Sequence, residues 1–111
     1  KVILAVKGGP ALNDLTSREL ERSGILERFD QVVDTGYCGV GVDLAEVSAE
    51  FKALLQQADL IISKGGANFE SLCTLQMTTP VFFILQIKCD PMRKYLGVED
   101  FGQCAMWQAA R

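Results

Sequence analysis

Histidine is missing from this sequence altogether. That removes Ser-His-Asp catalysis, Cys-His catalysis and most zinc sites, because each rests on imidazole as base or ligand. A basic surplus is missing too. Eleven Lys and Arg stand against 14 Asp and Glu, for a net charge of −3 and a pI near 4.8. Nucleic acid and anionic membrane surfaces bind basic patches, so neither is an expected partner. Apolar runs such as residues 81–85 fall far short of the roughly 20 residues that span a bilayer. No charged segment followed by a long apolar one marks a signal peptide. The four cysteines, Cys38, Cys73, Cys89 and Cys104, are scattered without a CxxC pair. They read as reduced thiols in a cytoplasmic protein.

What is present is an apolar chain of 111 residues, 49% hydrophobic, enough for one domain with a real core. It opens at Lys1 and runs straight into a strand-like apolar segment over residues 1–7, the start expected of a piece of a longer protein. That segment lacks alternation, as does Val81-Phe-Phe-Ile-Leu-Gln-Ile87, the pattern of strands covered on both faces. Residues 31–34 and 60–63 predict two further strands. Helices are predicted over residues 15–23, closed by Gly24, and after Ser48, where Phe51, Leu54, Leu55 and Ala58 share one face. A helical turn is expected over residues 25–29. A further helix follows Gly66, with Phe69, Leu72 and Cys73 inward. Another starts at Asp90-Pro91, with Asp90 as cap and proline at the first helical position. Residues 104–107 are expected as an edge strand, and 35–42, rich in glycine, as a loop. Strand and helix alternating through short glycine-containing loops predicts an α/β fold with a mostly parallel sheet.

In such sheets ligands bind beyond the carboxyl ends of the strands. The densest chemistry there is Ser63-Lys-Gly-Gly-Ala-Asn-Phe-Glu70, a strand leading through glycines into a helix. Backbone N–H groups at such a turn, with Lys64 beside them, suit a phosphate. The candidate phosphate site is therefore Lys64, Gly65, Gly66 and Asn68, against the simpler reading that Asn68 caps the helix. Neither the P-loop pattern nor the Rossmann glycine fingerprint is present. Asn13-Asp14 is the candidate metal site, since Mg²⁺ needs only one or two carboxylates plus water and substrate oxygens; the competing reading is an N-cap for the helix at Leu15. Asp34 and Asp43 flank the glycine loop as substrate contacts or turn formers. Glu70 complements the helix dipole. Lys88, at the end of its strand, is a candidate second cation for an anionic substrate.

Asn13-Asp-Leu-Thr16, then Ile61-Ile-Ser-Lys-Gly-Gly-Ala-Asn-Phe-Glu70, then residues 81–89 resemble, in that order, the damage-control phosphatase family. This family was earlier catalogued as domain of unknown function 89, and its members include acidic-residue methyltransferase-like proteins. The resemblance covers nearly the whole chain. It implies a Rossmann-like three-layer sandwich and a metal-dependent phosphatase acting on sugar phosphates or damaged phosphorylated metabolites, with Mg²⁺, Mn²⁺, Co²⁺ or Ni²⁺ as cofactor. By that resemblance Asp14 matches the later metal-binding aspartate, while Lys64 and Asn68 lie at the substrate phosphate. The family's earlier aspartate-asparagine pair has no match and is expected upstream of Lys1, on a strand central in the sheet, with a helical domain ahead of it. The chain, read as a single α/β domain over residues 1–111, is then the C-terminal part of a catalytic domain. It is expected to be inactive alone unless the missing N-terminal part or another chain completes it. Two rival readings are a non-catalytic module that holds a phosphate ligand or nucleotide, and a protein carboxyl methyltransferase. The second would need an adenosyl-donor site, for which no glycine signature is evident.

Overall fold

A computed structural model describes all of residues 1–111. The chain divides into two compact units, residues 1–54 and 55–111. Its strands form two separate sheets, one of two strands and one of three.

In the first unit, β1 (Ile3–Val6) pairs in parallel with β2 (Gln31–Asp34), Ile3 opposite Gln31 and Val6 opposite Asp34. Between them lies α1 (Ser17–Ser23). It starts two residues later than the apolar pattern predicts, because Thr16 forms a capping box. The Glu19 carboxylate accepts from the Thr16 amide at 3.2 Å and from its hydroxyl. Gly24, in the left-handed conformation, closes α1 as expected. The turn after it is a short 3-10 segment, Leu26–Arg28. α2 (Ala49–Gln57) bridges the boundary between the units. Its cap is the expected one, the Ser48 hydroxyl accepting the Phe51 amide at 3.1 Å. Val6, Ala11, Leu20, Val47 and Phe51 are buried.

In the second unit, β3 (Ile61–Lys64) pairs in parallel with β4 (Val81–Ile87), and β4 pairs antiparallel with β5 (Gly102–Gln108). β5 is the expected edge strand, longer than the sequence suggests. α3 (Gly66–Leu72) follows β3, and α4 (Asp90–Leu96) follows β4. The core is aromatic at its centre. Phe69 of α3 meets Phe83 of β4 edge to face, centroids 5.2 Å apart, and Tyr95 of α4 lies 6.0 Å from Phe69.

Two expectations are corrected here. The cap of α4 is Cys89, not Asp90; Asp90 is already helical, proline stands one position later, and the Asp90 carboxylate instead receives Arg93. The unbroken apolar runs are not covered on both faces. Along β4, Val81, Phe83, Leu85 and Ile87 are buried while Ile84 and Gln86 are exposed, and in β3 Ile62 is 66% exposed. The helices of this unit lie on the Phe83 face, which leaves the alternate residues open. β1 behaves similarly, with Ile3 and Ala5 exposed.

Candidate active site

Three strands, β1, β3 and β4, end at or just before a lysine, and the surroundings of each differ. After β1, the main-chain N–H of Lys7 donates to the Leu15 carbonyl at 2.9 Å, and Lys7 forms a bridge with Thr16. The excursion 8–15 is thereby tied at both ends to the strand terminus. A tight turn, with the Asp14 amide on the Ala11 carbonyl at 3.0 Å and Leu12 at a φ of 52°, places Asn13 and Asp14 on its rim. Both are exposed, and neither caps α1, whose cap is Thr16. The Asp14 carboxylate meets one cation, the Lys7 ammonium, at 3.9 Å.

Lys7 itself is buried. Its ammonium donates to the carbonyls of Gly39 at 3.0 Å and of Gly41, and lies 5.8 Å from the centre of the Tyr37 ring. Burial pushes its pKa below the ordinary lysine value, and the Asp14 carboxylate pulls back against that shift. Sequence reasoning named Asn13 and Asp14 after this strand but not Lys7. The available signal was the tripeptide Lys7-Gly8-Gly9, which repeats as Lys64-Gly65-Gly66 after β3. Gly8 is needed for close approach. A Cβ there would lie 2.8 Å from the Gly36 carbonyl carbon and the Tyr37 nitrogen.

After β3, Lys64 is exposed, and the chain turns through Gly65 at a φ of +99°, a conformation that favours glycine even though the space around it is open. The Gly65 amide donates to the Ile84 carbonyl at 2.8 Å. Asn68 does not cap α3, because that place belongs to Gly65; its side-chain amide donates to the Lys64 carbonyl at 2.8 Å. Asn68 thus locks the lysine's main chain to the helix. Glu70 is the fifth residue of α3, beyond the first turn where a carboxylate meets the helix dipole best. Lys88 follows β4 and is exposed. Ile84 is the register partner of Lys64, so Lys88 stands four residues, about 13 Å, farther along the ladder.

Asp34 and Asp43 are turn formers. Asp34 accepts the Gly36 amide and Asp43 the Ala45 amide, each at 2.8 Å. The structure thus groups Asn13 and Asp14 with Lys7 in the first unit, and Lys64, Gly65, Gly66 and Asn68 in the second. No cluster of three or more acidic or cysteine side chains could hold a metal ion by itself. The free carboxylate of Asp14, with the Asn13 amide beside it, fits one side of a Mg²⁺-type site and not a self-contained one. All four cysteines are free thiols.

The sequence profile of the damage-control phosphatase ARMT1-like domain matches residues 1–103. The chain belongs to that family. Damage-control phosphatase PH1575 of Pyrococcus horikoshii is 42% identical over 98 residues, which are 88% of this chain and 33% of that protein. A damage-control phosphatase of Archaeoglobus fulgidus is 31% identical over 98 residues, 88% of this chain and 34% of its own length. Among solved structures, the crystal structure of the DUF89 family protein PH1575 from P. horikoshii superposes with a TM-score of 0.85 at 39% identity, covering 96% of this chain and 36% of that one. The α/β architecture is therefore that of a damage-control phosphatase domain, and this chain spans about a third of the length of the curated relatives it matches. No helix is long and apolar enough to cross a membrane.

Proposed function

We propose that the protein to which this chain belongs hydrolyses small phosphomonoesters, such as sugar phosphates or damaged phosphorylated metabolites, with a divalent cation, Mg²⁺, Mn²⁺, Co²⁺ or Ni²⁺. The observation that carries this reading is Asp14. Its carboxylate is exposed at the carboxyl end of β1, caps no helix and has only a distant ammonium as partner. A carboxylate with no structural duty, in a chain whose relatives are named damage-control phosphatases, is best read as a ligand.

Asp14, with Asn13 beside it, would hold the ion together with residues outside these 111, an aspartate-asparagine pair on a further strand. When bound, a divalent ion supplies charge to polarise the phosphoryl group. Lys64 offers a full positive charge to the transferring oxygens; Gly65, its own amide engaged by the Ile84 carbonyl, turns the chain so that the Gly66 amide and the Asn68 side chain add dipoles at the same strand end. Lys88 serves as an outlying cation for the rest of the substrate. The free cysteines accord with a cytoplasmic setting.

The test uses the full-length parent protein, each of the four metals in turn, and a panel of phosphate esters, with released phosphate as readout. Asp14→Asn is expected to lower release at least about 100-fold, and Lys64→Ala about 100-fold. Undiminished release in Asp14→Asn would remove the metal role. Affinity for phosphate esters without release, whichever metal is present, would make the protein a binding module instead.

A further inference from the structure

A buried ammonium is costly unless its three donors are satisfied. Lys7 is 7% exposed, and no carboxylate stands within hydrogen-bond reach of it. Two donors are taken by main-chain carbonyls, those of Gly39 and Gly41. Covering the end of β1 needs no charge, as the buried Val6 one residue earlier illustrates. Both carbonyls belong to the loop 35–42, which has no regular secondary structure of its own. That loop is fastened to the β1 end from three directions. The Thr35 amide donates to the Val6 carbonyl at 2.9 Å, the Gly8 amide donates to the Tyr37 carbonyl at 3.1 Å, and the Lys7 ammonium takes the far end at Gly39 and Gly41.

The same residue fixes the other loop. The Lys7 main-chain N–H holds Leu15, the residue after Asp14. Lys7 is thus the joint between two strand-end loops, one carrying Asp14 and the other carrying the carbonyls that grip its ammonium. An ammonium free to swing would close on the carboxylate and compete with any cation there. Held by two carbonyls, it stops at 3.9 Å from Asp14 Oδ2, beyond hydrogen-bond range. The carboxylate keeps a fixed charged neighbour and both of its oxygens.

We infer that Lys7 is a positioning residue: by pinning the glycine loop 35–42, whose Tyr37 carbonyl holds the Gly8 amide, it keeps the start of the Asp14 excursion in place and its own ammonium off the carboxylate, which stays open to a cation. The inference rests on the reading of Asp14 as a metal ligand.

The experiment measures Mn²⁺ affinity of the metal-free full-length protein by electron paramagnetic resonance, with amide exchange over residues 37–41 as the report on the loop. Lys7→Met, an unbranched apolar side chain for a buried place, is expected to weaken Mn²⁺ binding about 10-fold or more and to speed exchange in the loop. That direction is telling, because loss of a nearby positive charge would by itself tighten a cation. Gly8→Ala provides the second variant. Its Cβ would meet loop backbone at 2.8 Å, so the loop must shift while the lysine charge stays. It is expected to weaken Mn²⁺ binding to a similar degree. Lys7→Arg, which keeps donors for both carbonyls, is expected to recover part of the loss.

Mn²⁺ affinity equal to or above wild type in Lys7→Met would make Lys7 merely a competing charge and overturn the inference. Faster loop exchange in Gly8→Ala at unchanged affinity would overturn it as well, leaving the loop a structural feature only. If Asp14→Asn itself retains Mn²⁺, the metal reading has failed and this inference falls with it. If Asp14→Asn loses Mn²⁺ while the Lys7 and Gly8 variants keep it, the inference alone has failed.

Discussion

Two identical tripeptides follow two strands of this chain and meet opposite fates. Lys7-Gly8-Gly9 ends with its ammonium enclosed by carbonyls, whereas Lys64-Gly65-Gly66 leaves its lysine on the surface. Nothing in either tripeptide distinguishes them. What differs is a loop more than 25 residues away in sequence that reaches the first and has no counterpart at the second. Asp14 and Lys64 were recognisable as candidates because each sits in a short motif with a strand before it. Lys7 was not, because its surroundings come from elsewhere in the chain. Thr16 belongs to the same asparagine-aspartate-x-threonine motif as Asp14 but has a different duty, the capping of α1. Its partner Glu19 has a pKa held below the usual glutamate value, chiefly by the Thr16 side chain. A carboxylate depressed in the folded state adds stability above its unfolded pKa, about 4.3, and that contribution is lost as pH falls through the folded value. Thr16→Val should therefore raise the Glu19 titration midpoint towards the ordinary value, measured by the carboxyl carbon shift in NMR. A midpoint that does not move would mean that the hydroxyl is not the cause.

At the scale of elements, the sequence was read best where local chemistry decides the outcome. Ser48, Gly24 and the bounds of β2 and β4 were all legible, because a cap, a left-handed turn residue or a run of β-branched and aromatic side chains is enough to set them. Reading failed by a residue or two where two local signals competed. Asn13-Asp14 and Thr16 are all good caps, and Thr16 won because Glu19 stands three residues on to complete the box. Asp90 fell one position inside its helix rather than at the cap, and its carboxylate went to Arg93. The Ser48 cap gives a direct check on how much α2 depends on local chemistry. Ser48→Ala should lower the stability of the chain by about 1 kcal/mol, read as a shift of the urea midpoint at unchanged slope. No shift would mean that packing of the Phe51 face alone holds the helix.

For the molecule as a whole, an unbroken apolar strand says that both faces want cover, but not what supplies it. In the second unit, α3 and α4 pack on the Phe83 side, and Ile62, Ile84 and Trp107 remain on the other with more than a third of each exposed. Ile62, Phe82 and Trp107 are direct register partners across the three strands, so the exposed side chains form a row rather than isolated spots. Contiguous apolar surface of this kind is unusual on a protein that is complete in itself and binds apolar probes readily. The single tryptophan of the chain, Trp107, lies in this row and is 57% exposed, which makes it a direct reporter. In the isolated 111-residue chain its fluorescence should lie at the red, water-exposed end of the tryptophan range and be strongly quenched by acrylamide. A dye that brightens on apolar surfaces should bind the chain, and Ile62→Gln together with Ile84→Gln should remove most of that signal while leaving the helical circular dichroism intact. Blue, unquenched Trp107 emission would mean that the row is covered within the chain. Dye binding undiminished by the two substitutions would place the apolar surface elsewhere.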